Sequence, residues 1–524
     1  MEEKTGIALG EADGRVAEIP YRYLTRHGVI AGSTGTGKSR AMQVLAEQLA
    51  SDGVHVFVSD VKGDASGFCV PAFEQSEEPT EAETKWNQRN KLAPFEPSVM
   101  GANYWSVSDR FIPFRFSVGN VGSVLFSRLL SLNPTQESHL AIAFSYARKK
   151  GLPLDTPDQL LDVLDEIVDR GERGISKSSV SVIQRKIIGM ADAGLGRMFG
   201  TPSLRLEDLG GLNVLNLSDV RTDMAVTMAP AFLLQKLFAV LPEAGDLPRP
   251  KFVIFFDEAH YLFKDANKSL RDSMVTMLKQ IRSKGVAVFF VTQDVTDLPD
   301  EILSQLATKI VFSQKVFTEK GNARLRALSS SFPKSSVDVM ETLKTLPPGV
   351  ALLSTLDQAG NQTQPAEVTV FAPATTMSVV DDRTLMEATD QELVKKYSKA
   401  PPKKAKPQER KAGAVPIVQR TPSRPERTHQ EQPLKAREAA AEKKAPRSDG
   451  PTLLDRALGG ILSVLRFLIK AFGLIVVKPL RSAFRYLTKK PVRIIYLLIV
   501  LLILYVVIVN WGIVSAFLNA LKIG

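Results

Sequence analysis

Eight residues near the N-terminus, Gly32-Ser33-Thr34-Gly35-Thr36-Gly37-Lys38-Ser39, fit the spacing G-x-x-x-x-G-K-[ST]. Glycines at those positions let the backbone curl until its N–H groups converge on phosphate oxygens, at a helix N-terminus that favours anions. Lys38 is placed to reach the β- and γ-phosphates of ATP, and Ser39 to bind Mg²⁺ through its hydroxyl. A second group lies far along the chain, where the apolar run Phe252–Phe256 ends in Asp257 and Glu258. Asp257 suits water-mediated Mg²⁺ binding, and Glu258 suits orienting and polarising an attacking water. Asp60 and Gln293 close two further apolar runs in the same way. Gln293 is placed to sense a γ-phosphate or position water, and Asp60 to touch the metal shell or the water; either also suits a turn cap.

These groups need elements that bring them together. The phosphate-loop motif follows Gly28-Val29-Ile30-Ala31 and precedes the helix-like Arg40–Ala50, the strand–loop–helix context the motif requires. Apolar runs recur at Val54–Ser59, Val214–Leu217, Phe252–Phe256, Val286–Thr292, Lys309–Ser313, Val350–Ser354 and Val368–Phe371. Continuous apolar strands separated by helical segments predict a mostly parallel α/β sheet with helices on both faces. Ligands of such sheets gather at the carboxyl ends of the strands, where all four candidate positions fall. Strand signals fade between Gly67 and Arg205. There Val121–Leu132, Glu137–Lys150, Pro157–Arg170 and Ser176–Met190 read as helices, so 67–205 is expected to be a mostly helical insertion.

Composition sets the remaining bounds. The 524 residues are 44% hydrophobic and 23% charged, which excludes a disordered chain and a polytopic membrane protein. A single cysteine, Cys69, excludes a disulfide framework and a cysteine-based zinc cluster, and five histidines without a His-x-x-x-His pair speak against a transition-metal site. The net charge of +11 is uneven: residues 391–524 carry 26 Lys/Arg against 8 Asp/Glu, and residues 1–390 carry 41 against 48. The basic character therefore belongs to the tail and does not make the body a nucleic-acid surface. The N-terminus lacks the basic start and apolar core of a secretory signal.

The ATPase body is expected to span 1–380. A basic linker at 381–450 has few large apolar side chains to offset its ordering entropy. Its positive charge suits a solvated tether, non-specific contact with DNA phosphates, or anionic lipid. Residues 451–490 read as an amphipathic membrane-proximal segment, with Arg456, Arg466 and Lys470 among Leu, Ile, Val and Phe. Residues 494–518 form a 25-residue apolar stretch, about 37 Å as a helix, long enough to cross a hydrocarbon core of ~30 Å. Arg481, Arg485, Lys489, Lys490 and Arg493 precede it and only Lys522 follows, which keeps the ATPase domain in the cytoplasm.

The order of these parts resembles the HerA/FtsK superfamily of P-loop motor ATPases. The loop comes first, then Asp60-Val61-Lys62-Gly63-Asp64, a long insertion, Asp257-Glu258 and Thr292-Gln293. Arg26-His27-Gly28, Leu129–Asn133, Leu241–Leu247, Phe256–His260 and Ile281–Gly285 look, more closely, like a bacterial group of HerA-like, helicase-like proteins. The tetrapeptide Asp257-Glu258-Ala259-His260 also labels a class of RNA helicases, but their Ser-Ala-Thr and Gln-x-x-Gly-Arg-x-Gly-Arg segments do not occur here. The resemblance implies a P-loop ATPase using ATP and Mg²⁺, assembled as a ring, commonly a hexamer, with double-stranded DNA through the pore. Lys38, Ser39, Asp257, Glu258, Asp60 and Gln293 match the nucleotide-site residues, and Arg282 lies where the superfamily keeps arginines near the subunit boundary. The chain departs from the family in its short N-terminus, in the lack of a winged-helix module, and in an anchor at the C-terminal end. Two activities are therefore weighed: a membrane-anchored DNA translocase of the bacterial inner membrane, and a membrane-tethered ATPase acting on a protein partner or as a nucleotide switch.

Overall fold

The structure is a computed structural model that describes residues 4–398 except 75–77, 109, 221–222, 265–267 and 317. The expected linker beyond 398, the amphipathic segment 451–490 and the membrane span 494–518 lie outside the described residues. The strands are β1 (Gly6–Ala12), β2 (Arg15–Pro20), β3 (Gly28–Ala31), β4 (His55–Asp60), β5 (Ala102–Ser106), β6 (Ile112–Pro113), β7 (Leu212–Asn216), β8 (Phe252–Phe256), β9 (Val286–Thr292), β10 (Thr308–Phe312), β11 (Val350–Ser354) and β12 (Ala366–Val370). They form one sheet in the order β2-β1-β12-β11-β10-β3-β9-β8-β4-β7-β5-β6. From β10 to β6 every neighbouring pair is parallel, whereas β11, β12, β1 and β2 join antiparallel at one edge.

The apolar runs are continuous because both faces of the sheet are covered. Val253 and Phe255 of β8 pack with Ala41, Met42 and Leu45 of helix α1 (Lys38–Ser51) on one side. Ile254 and Phe256 face the opposite core. That second face is covered by α3 (Val118–Leu129), α4 (Pro134–Lys150), α5 (Pro157–Asp169), α6 (Lys177–Asp192), α7 (Asp223–Val240) and α9 (Lys268–Ile281), with the shorter α2 (Glu81–Arg89) before α3 in the chain and α8 (Tyr261–Lys264) between α7 and α9. Helix α7 is long and apolar enough to cross a membrane, but 61% of it is buried in the fold and its Phe232, Leu233 and Leu237 are core residues. It is a core helix by position.

Two expectations need correction. The insertion expected to be mostly helical over 67–205 holds helices α2 to α6 and also two strands, Ala102–Ser106 and Ile112–Pro113, which extend the main sheet beyond β7. The β1–β2 hairpin at one edge of the sheet is not among the apolar runs read from the sequence. The folded body also continues past 380. Short helices α10 (Asp300–Leu303), α11 (Glu319–Ser330) and α12 (Val339–Thr345) precede the edge strands, and α13 (Asp382–Ala388) and α14 (Gln391–Tyr397) occupy the expected start of the linker. Asp381 and Asp390 cap the last two helices through backbone N–H groups. Tyr397 is fully buried against Trp105, and Lys396 pairs with Asp208 at 2.6 Å. A few well-placed anchors hold this stretch; its average composition conceals them.

Candidate nucleotide site

The phosphate loop runs from the carboxyl end of β3, between β9 and β10, into α1. Gly37 has φ +126°, and a side chain there would meet the Phe312 ring at 2.8 Å and Gly349 at 3.2 Å, so only glycine fits this turn. The loop is braced from outside by Gly32 N–H to Thr292 O (3.3 Å), Ser33 N–H to Ser313 O (3.0 Å) and Gly349 N–H to Thr36 O (2.7 Å). Thr36 Oγ1 closes it internally by donating to Ser33 O at 2.7 Å. Lys38 Nζ donates to Gly32 O at 2.7 Å and Ser33 O at 3.2 Å, holding its ammonium inside the loop. Burial, and next the neighbouring Lys62, push the Lys38 pKa down. Ser39 stands beside it on the first turn of α1, and Thr34 and Gly35 are exposed at the mouth.

Asp257 and Glu258 emerge from β8, one strand removed from β3. Burial and the nearby Asp60 push the Asp257 pKa up to about 7. A partly buried carboxylate held at such a cost is a good divalent-cation partner, because a cation offsets the desolvation penalty. Glu258 has φ +48°, a conformation rare for a residue with a side chain and typical of strained functional positions. Its carboxylate accepts from Gln293 Nε2 at 3.0 Å and forms an ion pair with Lys62. Its other oxygen, Oε2, is buried without a hydrogen bond and lies 3.2 Å from His260 Nδ1. Burial works to raise the Glu258 pKa, but Lys62 and Gln293 outweigh it and hold the carboxyl below its ordinary value. Gln293 in turn accepts from Thr34 Oγ1 at 3.2 Å. A chain of polar contacts thus runs from the phosphate loop through Gln293 to Glu258 and Lys62.

Asp60 is in the cluster but faces a different task from the one weighed first. Its two oxygens accept from the N–H groups of Lys62 (3.1 Å), Gly63 (2.8 Å) and Ala65 (2.9 Å), so it caps the turn after β4. Burial pushes its pKa up to about 6 despite those bonds. Arg282 is not brought into the cluster. It sits in the turn Arg282–Lys284 before β9, whose seven residues separate it from Gln293 by roughly 23 Å at about 3.3 Å per residue. It is partly exposed and lies 3.8 Å from Asp246. Sequence reasoning passed over Lys62 and His260 as site residues. Lys62 lay within the quoted Asp60–Asp64 stretch, so its position was visible and its partner was not.

The donor set fits ATP and Mg²⁺: an ammonium held inside a glycine-rich loop at a helix N-terminus, a hydroxyl beside it, and a partly buried carboxylate with a raised pKa. A 470 Å³ cleft opens beside the loop, lined by Ser33, Thr34, Gln293, Asp294 and Arg324. A larger cavity of 1130 Å³ between α3, α4, α7 and α9 contains none of these groups.

Residues 8–456 match the family described as Helicase HerA-like C-terminal. The chain is 22% identical over 349 residues to a DNA double-strand break repair helicase HerA of Sulfolobus acidocaldarius, covering 65% of each chain. It is 23% identical over 370 residues to the protein of the same description from Sulfurisphaera tokodaii, covering 66% of each. The chain thus spans about two thirds of the length of these relatives, just under that fraction in each. Among solved structures, VirB4 of Thermoanaerobacter pseudethanolicus is similar with a TM-score of 0.47 and 18% identity, over 71% of this chain and 98% of that one. The plasmid coupling protein TrwB in complex with ADP and Mg²⁺ gives 0.47 and 16%, over 72% and 93%.

Proposed function

Because the chain belongs to the helicase HerA-like C-terminal family, we propose that it is a Mg²⁺-dependent ATPase that works as a ring motor on double-stranded DNA, anchored to the membrane by residues 494–518. The observation that carries the ATPase reading is the contact chain Thr34–Gln293–Glu258, which links the phosphate loop to a general base. Lys38 and the loop N–H groups hold the triphosphate, and Ser39 and Asp257 would hold Mg²⁺, which when bound neutralises charge on the β- and γ-phosphates. Glu258 orients a water and accepts its proton as the water oxygen attacks the γ-phosphorus. The bond from that phosphorus to the β–γ bridging oxygen breaks, releasing ADP and phosphate. Gln293 keeps the Glu258 carboxylate and the attacking water in register with the loop. In this reading Arg282, too far to act within its own subunit, serves the site of a neighbour.

The acidic balance of residues 1–390 favours a second reading, a membrane-tethered ATPase acting on a protein partner or as a nucleotide switch. The ATPase rate of the chain with and without linear double-stranded DNA separates the two. Stimulation by DNA supports the motor reading; a rate indifferent to DNA but raised by a partner protein supports the other.

A further inference from the structure

The turn after β4 is built with unusual care for a loop that the ATPase scheme does not yet use. Asp60, almost fully buried, accepts three backbone N–H bonds from residues 62, 63 and 65. Gly63 takes φ +85°, and a side chain there would press on Ser218 at 3.3 Å. The backbone of Lys62 is thereby fixed while its side chain, 38% exposed, stays free to adjust. That side chain reaches Glu258, whose own side chain is 4% exposed. It also lies close enough to Lys38 and Asp257 to act on both electrostatically. Two ammonium groups therefore stand near one another, one in the phosphate loop and one on the general base.

This arrangement answers an electrostatic difficulty in the ATPase reading. A buried glutamate placed to activate water stands close to where the terminal phosphate of a nucleoside triphosphate must lie. Two anions in a poorly solvated site repel strongly unless a cation stands between them. An ammonium has three donors in separate directions, and a contact with Glu258 Oε1 uses one of them. We propose that Lys62 bridges the Glu258 carboxylate and the terminal phosphate of the bound triphosphate, a cation supplied within the subunit that permits general base and γ-phosphate to coexist. Asp60 then acts as a positioning residue, through the turn that presents Lys62. The inference rests on the ATPase reading and adds a residue to it.

The bridge distinguishes triphosphate from diphosphate, because only the former brings an anion up to Glu258. Calorimetric titrations of the full chain with ADP and with the non-hydrolysable imido analogue of ATP, both with Mg²⁺, test it. Lys62→Ala should weaken the analogue about tenfold or more while ADP stays within about twofold of wild type. Adding Glu258→Gln to Lys62→Ala should recover most of the lost analogue affinity, since the repulsion disappears with the charge. Lys62→Arg should retain most of it. Equal weakening for both nucleotides, unchanged analogue binding in Lys62→Ala, or no recovery in the double variant would each overturn the proposal. Failure of the underlying ATPase reading looks different: wild type would bind neither nucleotide, or Lys38→Ala would leave both affinities intact.

Discussion

Glu258 combines features that rarely occur together: a left-handed backbone, a buried carboxylate, an ion pair with Lys62, and one oxygen without a hydrogen bond. Substituting glutamine keeps the volume and most of the contacts, so nucleotide binding should survive Glu258→Gln. Turnover should fall by about 10²–10⁴-fold, the usual share of a general base. Rates and nucleotide affinity measured on the same preparation check this, and undiminished hydrolysis would remove Glu258 from its role. Lys38→Ala should instead lose binding and rate together, because it empties the phosphate cradle of its charge.

At the level of elements, His27 joins the start of β3 to its surroundings. Its Nε2–H donates to Leu278 O at 2.9 Å at the end of α9, and Val288 N–H of β9 donates to Nδ1 at 3.1 Å. The second bond requires an unprotonated Nδ1 and so the neutral ring, and burial lowers its pKa from 6.5 to about 4. The unfolded chain takes up this proton near 6.5 and the folded chain only near 4. The stability His27 protects is therefore complete above pH 6.5 and erodes as pH falls towards 4, by about 3 kcal/mol at most. Urea midpoints across that range should show the slope, and His27→Gln should flatten it. The C-terminal edge offers a second check. If α14 is part of the body, Tyr397→Ala should cost about 3 kcal/mol through the cavity left beside Trp105. A change of only a few tenths in the denaturation midpoint would return this segment to the linker.

For the whole molecule, the distance of Arg282 from its own Gln293 makes a sharp expectation possible. If rings form and Arg282 crosses the boundary, mixing Lys38→Ala with Arg282→Ala subunits should restore part of the activity each has lost. An arginine supplied by a neighbour is worth about 10³–10⁵ in rate, so dilution to monomers should nearly abolish hydrolysis. Specific activity that is constant on dilution would count against the ring, and no restoration at any ratio would exclude Arg282 alone. The proposed anchor carries its own test. With five basic residues before 494–518 and Lys522 after it, a reporter fused behind Gly524 should be active only outside the cytoplasm. Cytoplasmic activity would indicate a hairpin in which both apolar segments cross.

The sequence by itself determined the nature of the chemistry and the parallel core. A phosphate loop needs glycines at fixed spacing, and a doubly covered strand needs an unbroken apolar run, so Gly32–Ser39 and Phe252–Glu258 announce themselves locally. Their neighbourhood does not. That Thr34, Gln293 and Glu258 form one contact chain follows from the order β3-β9-β8, a pairing of segments more than two hundred residues apart. From the sequence Asp60 is a candidate for the metal shell or the water, with a turn cap as its alternative, and only the tertiary structure shows three backbone N–H groups converging on it. Lys62 stood in plain view as a charged loop residue, and only the packing of β4 beside β8 gave it Glu258 as a partner. The β1–β2 hairpin, β5, β6 and the last two helices escaped for the same reason. Their stability comes from a few long-range contacts, such as Tyr397 on Trp105, which no local periodicity encodes.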